Sequence, residues 1–88
     1  MAAPRVTVYT TSYCPYCVRA KSLLARKGVA FEEVAVDGDD ARRTWLVEQT
    51  GQRTVPQVFA GDHSLGGFSD LEALDRAGQL DPILRGDG

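Results

Sequence analysis

Hydrophobic and polar positions change period several times along the chain, and each change indicates a new element. Residues 5–10 alternate between apolar and polar side chains and are rich in β-branched residues, which predicts a β-strand. Over residues 15–27 the apolar positions follow helical spacing, and Gly28 provides the stop signal. The apolar face of this predicted helix contains Val18, Ala20, Leu23, Leu24 and Ala25.

The rest of the chain continues the same succession of strands and helices. Residues 37–40, which read DGDD, supply a turn and a helix N-cap, and Gly51 ends the helix that follows. A Gly61-Asp62 turn suits a β-hairpin. The predicted elements are a strand at 29–36, a helix at 41–50, strands at 57–60 and 63–65, and a last helix after residue 68.

The order of these elements predicts the fold class. Ser69 and Glu72 have capping-box spacing, so the last helix is expected to start with Ser69 as its cap. The order β-α-β-α-β-β-α places a parallel crossover first and a hairpin later, which predicts an α/β sandwich around a mixed four-stranded sheet. The chain of 88 residues is expected to form one domain, with an ordered core over about residues 5–85. Large side chains assigned to the core are Phe31, Trp45, Val58, Phe59, Leu71 and Leu74.

Composition narrows the class of protein further. A hydrophobic fraction of 43% and a charged fraction of 25% are typical of a soluble globular domain. The net charge is only −2 and the two signs are interleaved, which argues against nucleic acid or a membrane surface as a partner. The start of the chain lacks the pattern of a secretory signal, and no apolar run is long enough to span a bilayer. We therefore expect a cytoplasmic monomer.

The two cysteines lie three positions apart in the segment TSYCPYCVRA, between the first predicted strand and helix. A structural zinc site usually needs four Cys or His ligands, and the chain adds only His63 to Cys14 and Cys17, so no metal site is expected. A structural disulfide is a weak interpretation, because so short a loop restricts the unfolded chain very little. In a reducing compartment, a redox-active pair is the leading hypothesis.

The position of the pair suggests how its members divide the chemistry. Proline is favoured at the first position of a helix, so Pro15 places Cys14 at the N-cap. There the unpaired N–H groups of the first turn and the helix dipole stabilise a thiolate relative to a thiol. Cys17 lies about one turn further along and is expected to be more buried and less ionised. The pattern predicts Cys14 as the nucleophile and Cys17 as the resolving thiol of thiol–disulfide exchange.

Three motifs occur together and in order: CPYC after a strand, TVPQVF about forty residues later, and GGFSD before the last helix. With these motifs the chain resembles a dithiol glutaredoxin from about Val6 to Leu84. The resemblance implies a thioredoxin-like fold, a cis bond between Val55 and Pro56, and a glutathione-dependent thiol–disulfide oxidoreductase. Glutathione would be a co-substrate, and no tightly bound cofactor is expected. The implied substrates are glutathione mixed disulfides and disulfide-containing proteins, such as a ribonucleotide reductase.

The resemblance also implies where glutathione binds. An extended tripeptide would pair with the backbone of Val55 beside the cysteines. Gly67 precedes the amino end of the last helix, whose N–H groups suit the γ-glutamyl carboxylate, and Asp70 would face the ammonium group beside it. The implied glutathione-binding residues are Tyr16, Arg43, Thr54, Val55, Pro56, Gly67, Ser69 and Asp70.

One position departs from the family pattern. Glutaredoxins commonly meet the glycine carboxylate of glutathione with a lysine three residues before the first cysteine, where this chain has Thr11. Arg43 matches another family position that contacts the same carboxylate, whereas charge patterning alone would place Arg43 on a solvated helix face. Tyr16 resembles the aromatic wall that the family sets against the bound tripeptide.

Three alternatives remain open at this point. A glutaredoxin-like redoxin reduced by thioredoxin reductase would share the fold and the cysteine pair but lack a glutathione pocket, and some bacteria replace glutathione with another thiol. An iron–sulfur carrier would hold a cluster between two chains, although Pro15 resembles the members that carry no cluster. A binding module without turnover would lose no activity when Cys14 is replaced by serine.

Overall fold

The computed structural model describes residues 4–86 and contains the predicted strands and helices in the predicted order, followed by one further helix. No helix within these residues is long and apolar enough to cross a membrane. The elements are β1 (Val6–Thr10), α1 (Pro15–Arg26), β2 (Phe31–Ala35), α2 (Asp40–Thr50), β3 (Gln57–Ala60), β4 (His63–Gly66), α3 (Phe68–Arg76) and α4 (Leu80–Arg85).

The four strands form one mixed sheet in the order β2-β1-β3-β4. β1 and β2 are parallel, with Val6 opposite Phe31, and α1 makes the crossover between them. β3 is antiparallel to both β1 and β4. Gly61, in the turn between β3 and β4, has a φ of 62°, a conformation that glycine adopts without steric cost. The predicted crossover and hairpin are both confirmed.

Buried side chains of the described residues form two clusters, one on each face of the sheet, because neighbouring residues of a strand point to opposite faces. The larger cluster lies under α1, α3 and α4 and consists of Val6, Val8, Ala20, Leu23, Leu24, Val58, Ala60, Leu65, Leu71, Leu80 and Leu84. The smaller one lies under α2 and consists of Tyr9, Val36, Leu46 and Phe59. The sheet is therefore the middle of three layers.

Three side chains expected in the interior are on the surface instead, namely Val18, Ala25 and Trp45. Val18 is 58% exposed, because Cys17 and Ala20 take the inward positions of that turn of α1. Trp45 is 39% exposed, and its ring stacks on the ring of Phe59 at a centroid distance of 5.8 Å. Trp45 thus covers the smaller cluster from outside. Of the other predicted core residues, Val58, Phe59 and Leu71 are buried and Phe31 and Leu74 are half-buried.

The start of α3 and the existence of α4 also differ from expectation. The N-cap of α3 is Gly67, and the capping carboxylate is Asp70, which accepts the Gly67 N–H at 3.0 Å. The predicted Ser69–Glu72 capping box is therefore wrong, because Ser69 lies two residues after the true N-cap of α3 and Asp70 provides the capping carboxylate. α4 was not predicted, because six residues that include Pro82 give too short a pattern to separate from a turn.

Burial predicts how two positions of α1 differ in stability. Leu24 is fully buried, so Leu24→Ala removes apolar contacts and leaves a cavity, and we expect it to lower the free energy of unfolding by about 2–5 kcal/mol. Val18→Ala, on the exposed face of the same helix, should change it by no more than about 0.5 kcal/mol. Urea denaturation followed by circular dichroism measures both values. A loss at Val18 equal to that at Leu24 would contradict this orientation of α1.

Candidate active site

The sulfur of Cys14 caps the first helix, as the sequence predicts. Cys14 has extended backbone angles (φ −139°, ψ 99°), and Pro15 begins the helical turn behind it. The Cys17 N–H donates to the Cys14 sulfur at 3.1 Å, so one of the unpaired N–H groups of the helix start points at the sulfur. Negative charge at this atom is stabilised by that hydrogen bond and by the helix dipole.

Cys17 has a very different environment. It is only 2% exposed, whereas Cys14 is partly accessible to solvent, and both thiols are free. Burial is the main reason why the pKa of Cys17 rises to about 12, and its hydrogen bond with Cys14 raises it further. The Thr11 backbone and the Lys21 charge oppose this shift only in part. Cys17 is therefore protonated at neutral pH and shielded from solvent.

A backbone carbonyl completes the immediate surroundings of Cys14. The thiol of Cys14 donates to the carbonyl oxygen of Val55 at 3.7 Å, a long hydrogen bond of the kind that sulfur makes. The bond between Val55 and Pro56 is cis, as predicted. Two segments that are 41 residues apart in sequence therefore meet at the cysteine, and an extended chain bound along Val55 would pass beside its sulfur.

The start of α3 lies against the same proline. A Cβ atom at Gly67 would lie 3.2 Å from the carbonyl oxygen of Pro56, which is closer than a side chain normally permits. Gly66 has a φ of 87°, and a Cβ there would overlap the carboxylate of Asp70. Both glycines are thus explained by close packing. One oxygen of Asp70 accepts the Gly67 N–H, and Ser69 is exposed beside it.

Six of the eight predicted glutathione-binding residues lie at three places in the structure. Arg43, Thr54 and Val55 line one cleft of about 450 Å³ between α2 and the segment before β3. Pro56 and Gly67 are in contact, as described above, while Asp70 also lines a separate cleft of about 510 Å³ with Gly66. The remaining lining residues of the first cleft are Val36, Asp40, Thr44, Leu46, Val47, Glu48, Gln52 and Arg53.

Tyr16 is linked to the start of α3 through an aromatic contact. Its ring is 55% exposed and lies 6.2 Å from the ring of Phe68, the first residue of α3. The guanidinium of Arg19 lies over the Tyr16 ring, 5.3 Å from its centroid. Tyr16 therefore forms an exposed aromatic surface between the starts of α1 and α3. From the sequence, this role of Tyr16 was implied only by the family resemblance.

Asp37 is a site residue that the sequence analysis assigned only to a turn. Both of its carboxylate oxygens accept the Ser12 N–H, at 3.1 and 3.0 Å, which fixes the loop that leads into Cys14. These hydrogen bonds are the main cause of the lowered pKa of Asp37, and the charge of Arg43 contributes. The predicted topology could have indicated the contact between Ser12 and Asp37. Because β1 and β2 are parallel and end side by side, the residues just after the two strands meet at one edge of the sheet.

Within residues 4–86 there is no cluster of three or more His, Cys, Asp or Glu side chains arranged to hold a metal ion. The chemistry that this arrangement can perform is that of its sulfurs. An accessible sulfur at a helix start, with a protonated thiol buried one turn behind it, is suited to nucleophilic attack on a disulfide followed by internal resolution.

The family model described as Glutaredoxin matches residues 6–65. A glutaredoxin from Pseudomonas aeruginosa is 53% identical over 81 residues, which cover 92% of this chain and 96% of that protein. Glutaredoxin 3 from Escherichia coli K12 is 49% identical over 80 residues, covering 91% of this chain and 96% of that protein.

Solved structures show the same similarity in three dimensions. The solution structure of a glutaredoxin from Brucella melitensis superposes with a TM-score of 0.88 at 41% identity, covering 100% of this chain and 96% of that one. The crystal structure of a buckwheat glutaredoxin–glutathione complex superposes with a TM-score of 0.87 at 36% identity, covering 92% of this chain and 76% of that one. These matches confirm the thioredoxin-like fold.

The contrast between the two thiols can be measured by alkylation. In Cys17→Ser, the remaining Cys14 should react with iodoacetamide at pH 7, because its sulfur is accessible. In Cys14→Ser, the buried Cys17 should stay unmodified at pH 7 and react only in strongly alkaline solution, since its pKa is raised to about 12 mainly by burial. Mass spectrometry after timed quenching follows both reactions. Rapid modification of Cys17 at pH 7 would contradict its assignment as a shielded thiol.

Proposed function

Because the chain belongs to the glutaredoxin family of thiol–disulfide oxidoreductases, we propose that glutathione is its reductant and that Cys14 and Cys17 carry the reaction. The observation that carries this proposal is the Cys14 sulfur, which is accessible, caps α1 and lies beside the Val55 carbonyl. The buckwheat relative, whose structure holds glutathione, shares this fold. The substrates are glutathione mixed disulfides and protein disulfides.

The first half-reaction is a thiolate exchange at Cys14. The Cys14 thiolate attacks the glutathione sulfur of a mixed disulfide, the disulfide bond breaks, and the substrate protein leaves as a thiolate that takes a proton from solvent. A disulfide between Cys14 and glutathione remains. A second glutathione thiolate then attacks that glutathione sulfur, which releases glutathione disulfide and returns Cys14 as a thiolate held by the Cys17 N–H.

Cys17 serves a second class of substrate. After Cys14 attacks a protein disulfide, a mixed disulfide links Cys14 to the substrate protein, and Cys17 can then attack the Cys14 sulfur. A Cys14–Cys17 disulfide forms, the reduced substrate leaves as a thiolate that takes a proton, and two glutathione molecules reduce the new disulfide. The attacking species is the Cys17 thiolate, and the raised pKa of Cys17 in the reduced protein makes that species rare at neutral pH. Cys17 is thus required for reducing protein disulfides, but not for removing glutathione from a protein.

The proposed binding mode places the tripeptide in an extended form across the site. Its backbone pairs with Val55, its glycine carboxylate faces Arg43 across the cleft, and its γ-glutamyl end meets the start of α3 at Gly67 and Asp70. Thr54, Pro56, Tyr16 and Ser69 border this path. Support comes from the proximity of Val55 to the Cys14 sulfur and from the opening of the Arg43 cleft next to Val55.

The proposal also assigns a cytoplasmic location and a monomeric state. A soluble pool of glutathione supplies the electrons, so the protein needs no permanent partner. Ribonucleotide reductase is an example of a protein whose disulfide it would reduce. A chain reduced by thioredoxin reductase in place of glutathione is the main alternative, and the experiment below separates the two.

The decisive experiment is the reduction of a glutathione mixed disulfide coupled to glutathione reductase, with the native chain, Cys17→Ser and Cys14→Ser. We expect the native chain and Cys17→Ser to turn over, because glutathione itself can release Cys14. Cys14→Ser should lose at least about a thousandfold in rate, as nucleophile removal typically does. A native chain that is inactive here but accepts electrons from thioredoxin reductase would overturn the proposed reductant.

Adjacent arginines give a matched test of the binding mode. Arg43→Gln removes the charge that faces the cleft, so we expect KM for the mixed disulfide to rise about three- to tenfold with little change in kcat. Arg42→Gln is the control, because the Arg42 side chain lies 3.7 Å from Asp39 on the exposed surface and does not line that cleft. Steady-state kinetics should leave Arg42→Gln within about twofold of the native chain. Equal effects at both positions would refute the assigned contact.

A further inference from the structure

Gln57 is a buried polar side chain that the reaction described above does not use. It is the first residue of β3, directly after Pro56, and it is 0% exposed. Its backbone is opposite Tyr9 in the sheet register. Buried glutamine is uncommon, because its amide must be hydrogen-bonded in the interior to offset the loss of water.

The donors of this amide point at one short segment. Gln57 Nε2 donates to the Gln52 Oε1 at 2.9 Å and to the Thr54 carbonyl oxygen at 2.9 Å, with a longer approach of 3.4 Å to the Thr54 Oγ1. These contacts tie residues 52–54, which lie between α2 and β3, to the end of the sheet. The segment has no regular secondary structure of its own to hold it.

The carbonyl oxygen of the same amide makes no hydrogen bond that would stabilise the described part of the fold. Gln57 Oε1 is buried and has no hydrogen-bond partner within residues 4–86. A buried acceptor without a partner destabilises the folded state, and an apolar side chain of similar length would avoid that cost. Stability alone therefore does not explain a glutamine at this position. The better explanation is that the Gln57 N–H groups hold Gln52 and Thr54 in place.

The segment that Gln57 holds is one wall of the substrate cleft. Gln52, Thr54 and Val55 line the cleft into which Arg43 faces, and the Val55 carbonyl lies 3.7 Å from the Cys14 sulfur. A shift of this wall would change both the width of the cleft and the position of the backbone that passes the sulfur. We propose that Gln57 is a positioning residue, which sets substrate affinity by fixing residues 52–55 against β3.

This inference rests on the proposed function for its substrate, but its structural half can be tested without glutathione. The variant is Gln57→Met, which keeps the length of the side chain and removes both the donors and the orphan acceptor. We expect the amides of residues 52, 54 and 55 to become flexible, with order parameters falling from about 0.85 toward about 0.6, while those of α4 stay unchanged. Nitrogen-15 relaxation measures them.

The kinetic half uses the mixed-disulfide assay. Gln57→Met should raise KM about three- to tenfold and change kcat less than twofold, because the hydrogen bond from the Cys17 N–H to the Cys14 sulfur lies outside the loosened segment. Leu84→Ala is the control: Leu84 is 4% exposed in α4, so its truncation lowers the melting temperature without reaching the cleft, and KM should stay at the native value.

The outcomes separate the positioning role of Gln57 from the proposed glutathione-dependent function. Native order parameters and a native KM in Gln57→Met would overturn the positioning role. So would a KM increase that Leu84→Ala reproduces, because that increase would reflect lost stability alone. A native chain that does not reduce the mixed disulfide overturns the proposed function instead, and the relaxation data then still decide whether Gln57 holds residues 52–55.

Discussion

The hydrogen bond from the Cys17 N–H to the Cys14 sulfur is the contact on which the site depends. It exists because Pro15 starts a helix directly behind Cys14, leaving the first N–H groups of α1 without backbone partners. The surrounding structure keeps this helix start in place. Leu23 and Leu24 anchor α1 to the sheet, and Asp37 holds the loop that enters the cap.

The fold brings a second and a third segment to the same sulfur. The Val55 carbonyl approaches it from the segment before β3, and Gly67 packs the start of α3 against Pro56. These contacts connect segments about forty and fifty residues from Cys14, so the site forms only when the sheet is complete. Arg43 comes from yet another element, α2, and reaches the cleft beside Val55. Substrate recognition is thus distributed over the whole domain, whereas the reactive sulfur depends on one helix turn.

Local patterns were sufficient to predict the strands, the first three helices and the Cys14 cap, because each of these depends on residues close in sequence. The errors occurred where packing decided between equivalent positions. Val18 and Cys17 both fit the apolar face of α1, and only the sheet selects which one points inward. Ser69 and Gly67 both fit a helix start, and the close approach of Pro56 selects the glycine.

The functional residues divide in the same way. The cysteines and Pro56 could be identified from their motifs, and Arg43 only from a family resemblance, because an arginine on a helix is usually a solvated one. For Asp37 the only signal was the predicted parallel pairing of β1 and β2, which brings it next to Ser12. Gln57 could not be recognised, since it meets Thr54 only through the turn before β3.

The burial of Cys17 makes the protein a carrier of protons as well as electrons. With a pKa of about 12, the Cys17 thiol keeps its proton across the physiological range while the pair is reduced, and loses it when the disulfide forms. Each two-electron reduction of the pair therefore takes up at least one proton from solvent. The midpoint potential then falls by at least about 30 mV for each unit of rising pH. An alkaline shift of the surroundings makes the pair a stronger reductant, with no change in any contact to the substrate.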